Sequence, residues 1–251
     1  MSPSVSDLTA LLRESRRVLV FTGAGISTAS GIPDFRGPGG VWTKRQPVYF
    51  DEFLSSETQR IEHWDFKLES WDQARDARPT ATHLALVELE RLGILQVLVT
   101  QNIDGLHQAA GTSQDKLVEV HGTNRWIECL SCGALTEPGP HMEWFRANRR
   151  APRCGCGGLL KSATISFGQP LRPAVLERAA REARLADLVL ALGSTLSVYP
   201  AAQIPLYAAD RGVPYCIVNR GPTDHDGRAT LRFEAAVDDV VPAAVAALRP
   251  E

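Results

Sequence analysis

Short apolar runs, often β-branched, recur at Val18 to Thr22, Val97 to Thr100, Leu117 to Val120, Leu188 to Leu192 and Tyr215 to Val218. Segments of helical periodicity lie between them. Ala81 to Leu92 places Leu84, Val87 and Leu92 near one face, and Pro173 to Leu185 and Ala201 to Arg211 are rich in Ala and Arg with few helix breakers. At the N-terminus, Ser6 is positioned to cap a first helix carrying Leu8, Leu11 and Leu12. Strands alternating with helices predict an α/β fold: a doubly wound, mainly parallel sheet whose ligand crevice lies beyond the carboxyl ends of the strands.

Two stretches break this rhythm. Phe35 to Trp71 is rich in aromatic and charged residues without strong strand runs, and His121 to Lys161 holds four cysteines and the Gly/Pro-rich segment Glu137 to Pro140. Both read as insertions which, packed together, form a second, smaller domain and make the cleft between domains the default site. With 251 residues, 44% hydrophobic and 22% charged, the chain has enough apolar surface for a sizeable core. Its formal charge of −2 removes the electrostatic basis for a dedicated nucleic-acid binder. Apolar runs such as Leu188 to Leu192 fall far short of the ~20 residues of a membrane span, and Met1 to Val5 carries no basic start, so a cytoplasmic protein is expected.

Five cysteines are an odd number, and four form two close pairs, Cys129-x2-Cys132 and Cys154-x-Cys156. In a reducing compartment this suggests a metal before a disulfide framework. Four thiolates suit a tetrahedral, structural Zn. The short second pair leaves open that one thiol stays free and His141 substitutes, while Cys216 lies in an apolar run and reads as inert core.

The remaining chemistry gathers at predicted strand ends. Gly23-Ala24-Gly25 follows the first strand, where glycines let backbone N–H groups approach a phosphate at a helix N-terminus. Position 28 is Thr where the usual dinucleotide fingerprint has Gly, and no acidic residue ends a strand about 20 residues later, so a dehydrogenase reading fails; a plain tight turn fits equally well. Asp34, Phe35 and Arg36 lie between Gly31 and Gly37 in a loop able to close over a ligand, or simply in a surface loop with a salt bridge. Gln101, Asn102 and Asp104 follow the second strand and suit a carboxamide and ribose hydroxyls, though Asn102 or Asp104 could merely cap the next helix; His107 reads as structural. His121, at a strand end beside the cysteine insertion, is well placed as a general base. Gly193, Ser194, Thr195 and Asn219 occupy two further strand ends, where turn chemistry is the competing reading.

Taken together, these motifs resemble the sirtuins, the NAD-dependent protein-lysine deacylases. The shared segments, in family order, are Gly-Ala-Gly-Ile-Ser at 23–27, Gly-Ile-Pro-Asp-Phe-Arg-Gly at 31–37, Gln-Asn-Ile-Asp-Gly-Leu-His at 101–107, His121-Gly122, Phe167-Gly168-Gln169, Gly193-Ser194-Thr195 and Val218-Asn219. Stretches at 39–43, 78–83 and 222–226 look most like the branch that includes certain nuclear sirtuins of animals. The resemblance implies a Rossmann-type domain over 1–34, 72–120 and 162–251. It also implies a small domain made of a helical module at 35–71 and a zinc module at 121–161. Gly23, Ala24, Gly25, Asp34, Phe35 and Arg36 match the family's dinucleotide and nicotinamide loop; Gln101, Asn102 and Asp104 match the ribose and nicotinamide pocket; Gly193, Ser194, Thr195, Asn219 and Val237 match the adenosine side. His121 matches the catalytic base, acting with Asn102, and Cys129, Cys132, Cys154 and Cys156 match the zinc ligands. NAD is then a consumed co-substrate and acyl-lysine proteins or peptides are the partners. Nicotinamide is expected in an apolar pocket lined by Ile32 and Phe35.

A mono-ADP-ribosyltransferase or NAD glycohydrolase on the same fold is the competing enzyme reading, and a non-catalytic NAD-sensing module the competing binding reading. Lys161 to Ser166 departs from the family's pattern where a strand is expected to pair with the substrate peptide. Sirtuins that remove succinyl or malonyl groups carry a Tyr-x-x-Arg pair, absent from Trp64 to Trp71. Lys67, flanked by Asp65 and Glu69, is expected in a solvated ion-pair set, which predicts a preference for neutral acyl groups.

Overall fold

A computed structural model describes residues 3–37 and 40–249. Gly39 of the 39–43 motif and the expected domain ends at 1–2 and 250–251 lie outside the described residues. In chain order the elements are α1 (Val5–Glu14), β1 (Val18–Thr22), α2 (Val41–Lys44), α3 (Phe50–Ser55), α4 (Glu57–Ala74), α5 (Ala81–Arg91), β2 (Leu95–Thr100), α6 (Leu106–Ala110) and β3 (Leu117–Glu119). They continue as β4 (Gly122–Cys129), β5 (Leu135–Thr136), α7 (Pro138–Asn148), β6 (Leu160–Thr164), α8 (Pro173–Leu185), β7 (Leu188–Leu192), α9 (Gln203–Ala209), β8 (Tyr215–Val218), β9 (Leu231–Phe233) and α10 (Val237–Ala246).

Six parallel strands form the main sheet in the order β3-β2-β1-β7-β8-β9. This is a Rossmann-type winding, and its direction reverses between β1 and β7. The strands read as unbroken apolar runs because both faces are covered. Val18 and Val20 point into a core with Leu8, Leu12, Leu86, Leu89 and Val241, supplied by α1, α5 and α10. Leu19 and Phe21 point the other way, against Ala179, Ala183, Ile204 and Ala208 of α8 and α9.

Two local expectations are corrected. Ser4, not Ser6, caps α1: its Oγ accepts from the Asp7 N–H at 3.3 Å while the Asp7 carboxylate accepts from the Ser4 N–H at 2.8 Å. The buried residues of α5 are Thr82, His83, Ala85, Leu86, Val87 and Leu89; of the three expected on one face Val87 is buried, while Leu84 and Leu92 are exposed. The Thr82 N–H and hydroxyl both donate to Asp238, at the start of α10, and this turns α5 inward on that side.

The two insertions pack into one small domain. Trp64 and Leu68 of α4, Ile127 and Cys129 of β4, Met142 and Phe145 of α7 and Leu160 of β6 share a single apolar cluster. Across it, Arg149 pairs with Asp65 at 2.6 Å and Arg146 with Asp72 at 2.8 Å. The antiparallel sheet β5-β4-β6 runs from Gly122 to Thr164, and α4 runs to Ala74. A cavity of about 1110 Å³ lies where the small domain meets the carboxyl ends of the main strands.

Candidate active site

The loop after β1 and the loop after β7 meet backbone to backbone. A Cβ on Gly23 would lie 2.7 Å from the Gly193 carbonyl oxygen, and one on Gly25 2.7 Å from the Gly193 Cα. Close approach, not turn conformation, therefore requires these glycines. The Gly25 N–H donates to Gly193 O at 2.8 Å and holds the crossing shut. Two three-residue 3-10 turns, Ala24–Ile26 and Thr28–Ser30, follow, so the expected helix N-terminus is absent here; a phosphate would be met by loop N–H groups instead of a helix dipole.

The loop after β2 is fixed from beneath by a buried hydroxyl chain. Thr22 Oγ1 donates to Thr100 Oγ1 at 2.8 Å, and Thr100 Oγ1 accepts from the Asn102 N–H at 3.0 Å. His107 Nε2 lies 3.0 Å from Thr22 Oγ1, and burial followed by the neighbouring His83 holds its pKa well below the usual value, a structural role as expected. The Asn102 amide donates to Gly23 O and to Ser27 Oγ, both at 3.2 Å, and Ser27 Oγ donates to Asp104 at 2.7 Å. Asp104 also accepts from the Leu106 N–H at 2.9 Å just ahead of α6, and it lies outside the cavity lining, joined to Asn102 through Ser27. Ser27, buried between the two 3-10 turns, is the residue that sequence reasoning missed; the Ser of Gly-Ala-Gly-Ile-Ser was the available signal. Gln101 Nε2 reaches across to Ser194 Oγ at 2.8 Å and joins the ends of β2 and β7.

His121 lines the cavity between the two domains. Its Nδ1 lies 3.1 Å from the Gln101 carbonyl oxygen, which can only accept, so Nδ1 carries the proton and Nε2 is left as the basic nitrogen. Burial, with a smaller push from Arg36, lowers the His121 pKa against the opposing Gln101 bond, so the ring is neutral at physiological pH.

The roof of the cavity is aromatic. Phe35 stacks on Trp42 with centroids 5.4 Å apart, and Trp42 meets Phe66 and Phe167, each at 5.7 Å. Asp34 anchors this loop by accepting from the Gly37 N–H at 2.9 Å, and Arg36 is exposed at its tip. Phe35 and Ile103 line the cavity, whereas Ile32 is outside its lining, a correction to the expected nicotinamide pocket. Gly23, Ala24, Gly25, Asp34, Phe35, Arg36, Gln101, Asn102, His121, Gly193, Ser194, Thr195 and Asn219 all border the same space. Val237 does not; it is buried in the core at the start of α10. Asn219 donates to Gly221 O at 2.9 Å, which shapes the loop after β8.

Lys67 departs most from expectation. It is 6% exposed, lines the cavity and donates to Asn124 Oδ1 at 3.0 Å. Asp65 is taken by Arg149 and Glu69 by Arg45, so the expected solvated ion-pair set does not form around Lys67. Burial lowers its pKa to about 8.

Away from the cavity, the sulfurs of Cys129, Cys132, Cys154 and Cys156 lie within 4.8 Å of one another. Backbone N–H groups of Cys132 and then Ser131 lower the Cys129 pKa to about 6, whereas Cys156 in the same set is pushed up to about 12 against a Gly158 backbone bond. His141 pairs instead with Thr136 Oγ1 at 2.8 Å, so all four cysteines make up the set, which fits one structural Zn with no position left for substrate.

The profile of the Sir2 family matches residues 23–200. The chain is 40% identical over 232 residues, 92% of both chains, to an NAD-dependent protein deacetylase of Rhodopseudomonas palustris, and 40% identical over 233 residues to NAD-dependent protein deacetylase 1 of Bradyrhizobium diazoefficiens (90% of this chain, 89% of that one). Among solved structures, a Sir2 homolog–NAD complex superposes with a TM-score of 0.87 at 32% identity, covering 99% of this chain and 95% of that one. A Sir2 variant with a deacetylated p53 peptide and 3′-O-acetyl ADP-ribose gives 0.88 at 35% identity, covering 95% and 96%. A Rossmann-type sheet with a glycine crossing at its switch point, a histidine at the domain junction and a four-cysteine module defines the class. The chain belongs to the Sir2 family.

Proposed function

We propose that the chain is an NAD-dependent protein-lysine deacylase that transfers the acyl group to ADP-ribose and releases nicotinamide. The observation that carries this reading is His121, neutral, held through Nδ1, and offering Nε2 to the cavity at the junction of the two domains. NAD, when bound, supplies the ribose that accepts the acyl group. The Gly23–Gly25 and Gly193 backbones border the space for its phosphates, and Ser194, Thr195 and Asn219 offer polar groups to its adenosine side. Asn102, fixed by Gly23 and Ser27, orients the nicotinamide end, with Asp104 set behind it through Ser27. His121 Nε2 takes the proton of a ribose hydroxyl. The Phe35, Trp42 and Phe167 rings exclude water that would otherwise capture the activated sugar.

The parallel-sheet domain is assigned to NAD and the small domain to closure over the acyl-lysine peptide. The peptide runs along the segment from Thr164 to Leu171, which borders the cavity. Nucleic acid and membranes are not partners in this reading. It places the protein in the cytoplasm, a reducing compartment in which four thiols stay available to hold a metal. No helix among the described residues is long and apolar enough to cross a membrane. The test is mass spectrometry of products from acetyl-lysine peptides incubated with and without NAD. Free lysine peptide together with acetylated ADP-ribose is expected; ADP-ribosylated peptide, or free ADP-ribose without deacylation, would favour the transferase or glycohydrolase reading.

A further inference from the structure

Asn219, Gly221 and Pro222 of the loop after β8, with Thr195 and Tyr199 of the loop after β7, wall the side of the cavity given above to adenosine. The groups that shape the first loop lie behind that wall. Arg232 is half-buried on the edge strand β9 and borders no part of the cavity. Its guanidinium donates to the backbone carbonyls of Asn219, at 3.0 Å, Gly221 and Phe233, and its Nε donates to Asp226 at 2.7 Å. The Gly221 oxygen also accepts from the Asn219 side-chain amide at 2.9 Å, so both of its lone pairs are filled. With its N–H tethered there, the Asn219 amide keeps Oδ1 for a hydroxyl donor.

Asp226 is the second anchor. Besides Arg232 it accepts from the Thr223 N–H at 3.1 Å and from the Thr223 hydroxyl at 2.6 Å, which folds 223–226 into a tight turn. That turn grips the opposite loop. The Asp224 N–H donates to Thr195 O at 3.0 Å, and His225, 2% exposed, has the Tyr215 hydroxyl 3.0 Å from Nδ1 and the Tyr199 hydroxyl 3.3 Å from Nε2. Arg232 therefore bonds directly to one wall of this side of the cavity and, through Asp226, to the turn that holds the other. Gly221 has no side chain and Pro222 no N–H, so the loop brings little of its own to fix its shape. A planar fork with fixed N–H directions supplies what the loop lacks, because acceptors held by it cannot shift independently.

We infer that Arg232 is a positioning residue for the cofactor: without touching it, Arg232 holds both loops in the form that receives the adenosine end of NAD. This rests on the NAD reading above. Loss of the clamp weakens every ligand that carries the adenosine end. Turnover at saturating NAD is spared, since His121 and Asn102 are held by Gln101, Gly23 and Ser27.

The test pairs calorimetric titration of ADP-ribose with steady-state kinetics in NAD and an acetyl-lysine peptide. The chains compared are the wild type, Arg232→Met, Arg232→Lys, Asp226→Asn and, as control, Arg228→Met. Arg228 is exposed on the same segment, pairs with Asp210 and stays out of the cavity wall. Arg232→Met is expected to raise the ADP-ribose Kd and the NAD KM together by about tenfold or more, as a shift of about 1 Å in a binding loop does, with kcat and the peptide KM within about twofold. Arg232→Lys keeps the charge and loses the fork, and it is expected to share most of that loss. Asp226→Asn, which keeps the shape and makes one charge-assisted bond neutral, should raise Kd by about fivefold, and it carries the test where Arg232→Met does not fold. Arg228→Met should bind as the wild type does. An unchanged Kd in folded Arg232→Met, full binding by Arg232→Lys, or an equal loss in Arg228→Met overturns the inference; a lower Tm with Kd unchanged marks a merely structural role and overturns it too. A wild type that does not bind ADP-ribose removes the NAD reading along with the inference. Binding that is lost as expected, in a protein that does not deacylate, supports the clamp and removes the deacylase reading alone.

Discussion

Replacing Gly193 by Ala would test the glycine crossing that joins the two halves of the nucleotide site. Gly193 has φ +61°, and an added Cβ would lie 2.5 Å from the Ile26 nitrogen and 2.6 Å from the Gly25 carbonyl carbon. The left-handed backbone alone costs an L-residue roughly 1–2 kcal/mol. Because comfortable contacts begin near 3.5 Å, the 23–26 loop must also retreat by about 1 Å, and overpacking of this kind costs about 1–3 kcal/mol. Less the unfolded-state gain of a Gly→Ala change, the total is about 2–4 kcal/mol, which for a chain of this length lowers Tm by about 5–15 °C. Gly212 is the matched control. Its φ is +80° and no heavy atom lies within 4 Å of the place a Cβ would occupy, so Gly212→Ala carries only the backbone cost and loses about 2–4 °C. The assay pairs thermal unfolding with steady-state kinetics in NAD. Gly193→Ala is expected to raise the NAD KM by about tenfold or more, as a shift of about 1 Å in a binding loop does, while Gly212→Ala leaves it unchanged. Equal Tm losses in the two variants, or an unaltered KM in Gly193→Ala, would refute the crossing as the reason for these glycines.

His121→Ala is expected to keep the fold and lose at least the ~10²-fold typical of a missing general base; near-wild-type turnover in a folded variant argues against that role. Because burial depresses the His121 pKa, the basic neutral form persists below pH 6.5, and kcat/KM should fall only as pH drops through a value lower than that of free imidazole. A pH profile whose acid limb lies above 6.5 contradicts the assignment. Elemental analysis should find one Zn per chain, and Cys129→Ala should lower Tm as well as metal content; active protein without metal rules the site out. NAD should be preferred to NADP, since Asn219 at the adenosine side offers an amide to hydroxyls; comparable turnover with NADP would show that exposed Arg220, also in the cavity wall, dominates.

How much of the fold is legible in the sequence follows from how each element comes to be buried. β1, β7 and β8 are readable to the residue because a parallel strand covered on both faces must be apolar throughout. β6 is not, since Leu160–Thr164 is wholly buried yet contains Lys, Ser and Thr, whose burial is set by β4 and α4 and not by local pattern. The phase of α5 misleads for a related reason: Thr82 and His83 point inward to hydrogen-bond partners, so apolar spacing alone finds Val87 but wrongly adds Leu84 and Leu92. At the site, the strand-end motifs locate the cavity, but they leave Ser27 hidden inside a glycine loop.

Lys67 shows where one-dimensional reading fails in kind. Asp65 and Glu69 are its near neighbours in sequence, yet residues two apart on a helix point to different faces, so neither is placed to neutralise it. Their partners, Arg149 at the end of α7 and Arg45 after α2, come from other elements and draw both carboxylates away. Tertiary pairing thus removes the anions that the local sequence offers and leaves a cation in the cavity wall. What surrounds it instead is Asn124 of β4, which takes one of its N–H groups, and the Phe66 ring 5.9 Å away, so the polarity of this wall is set by contacts between elements and not by the neighbours along α4.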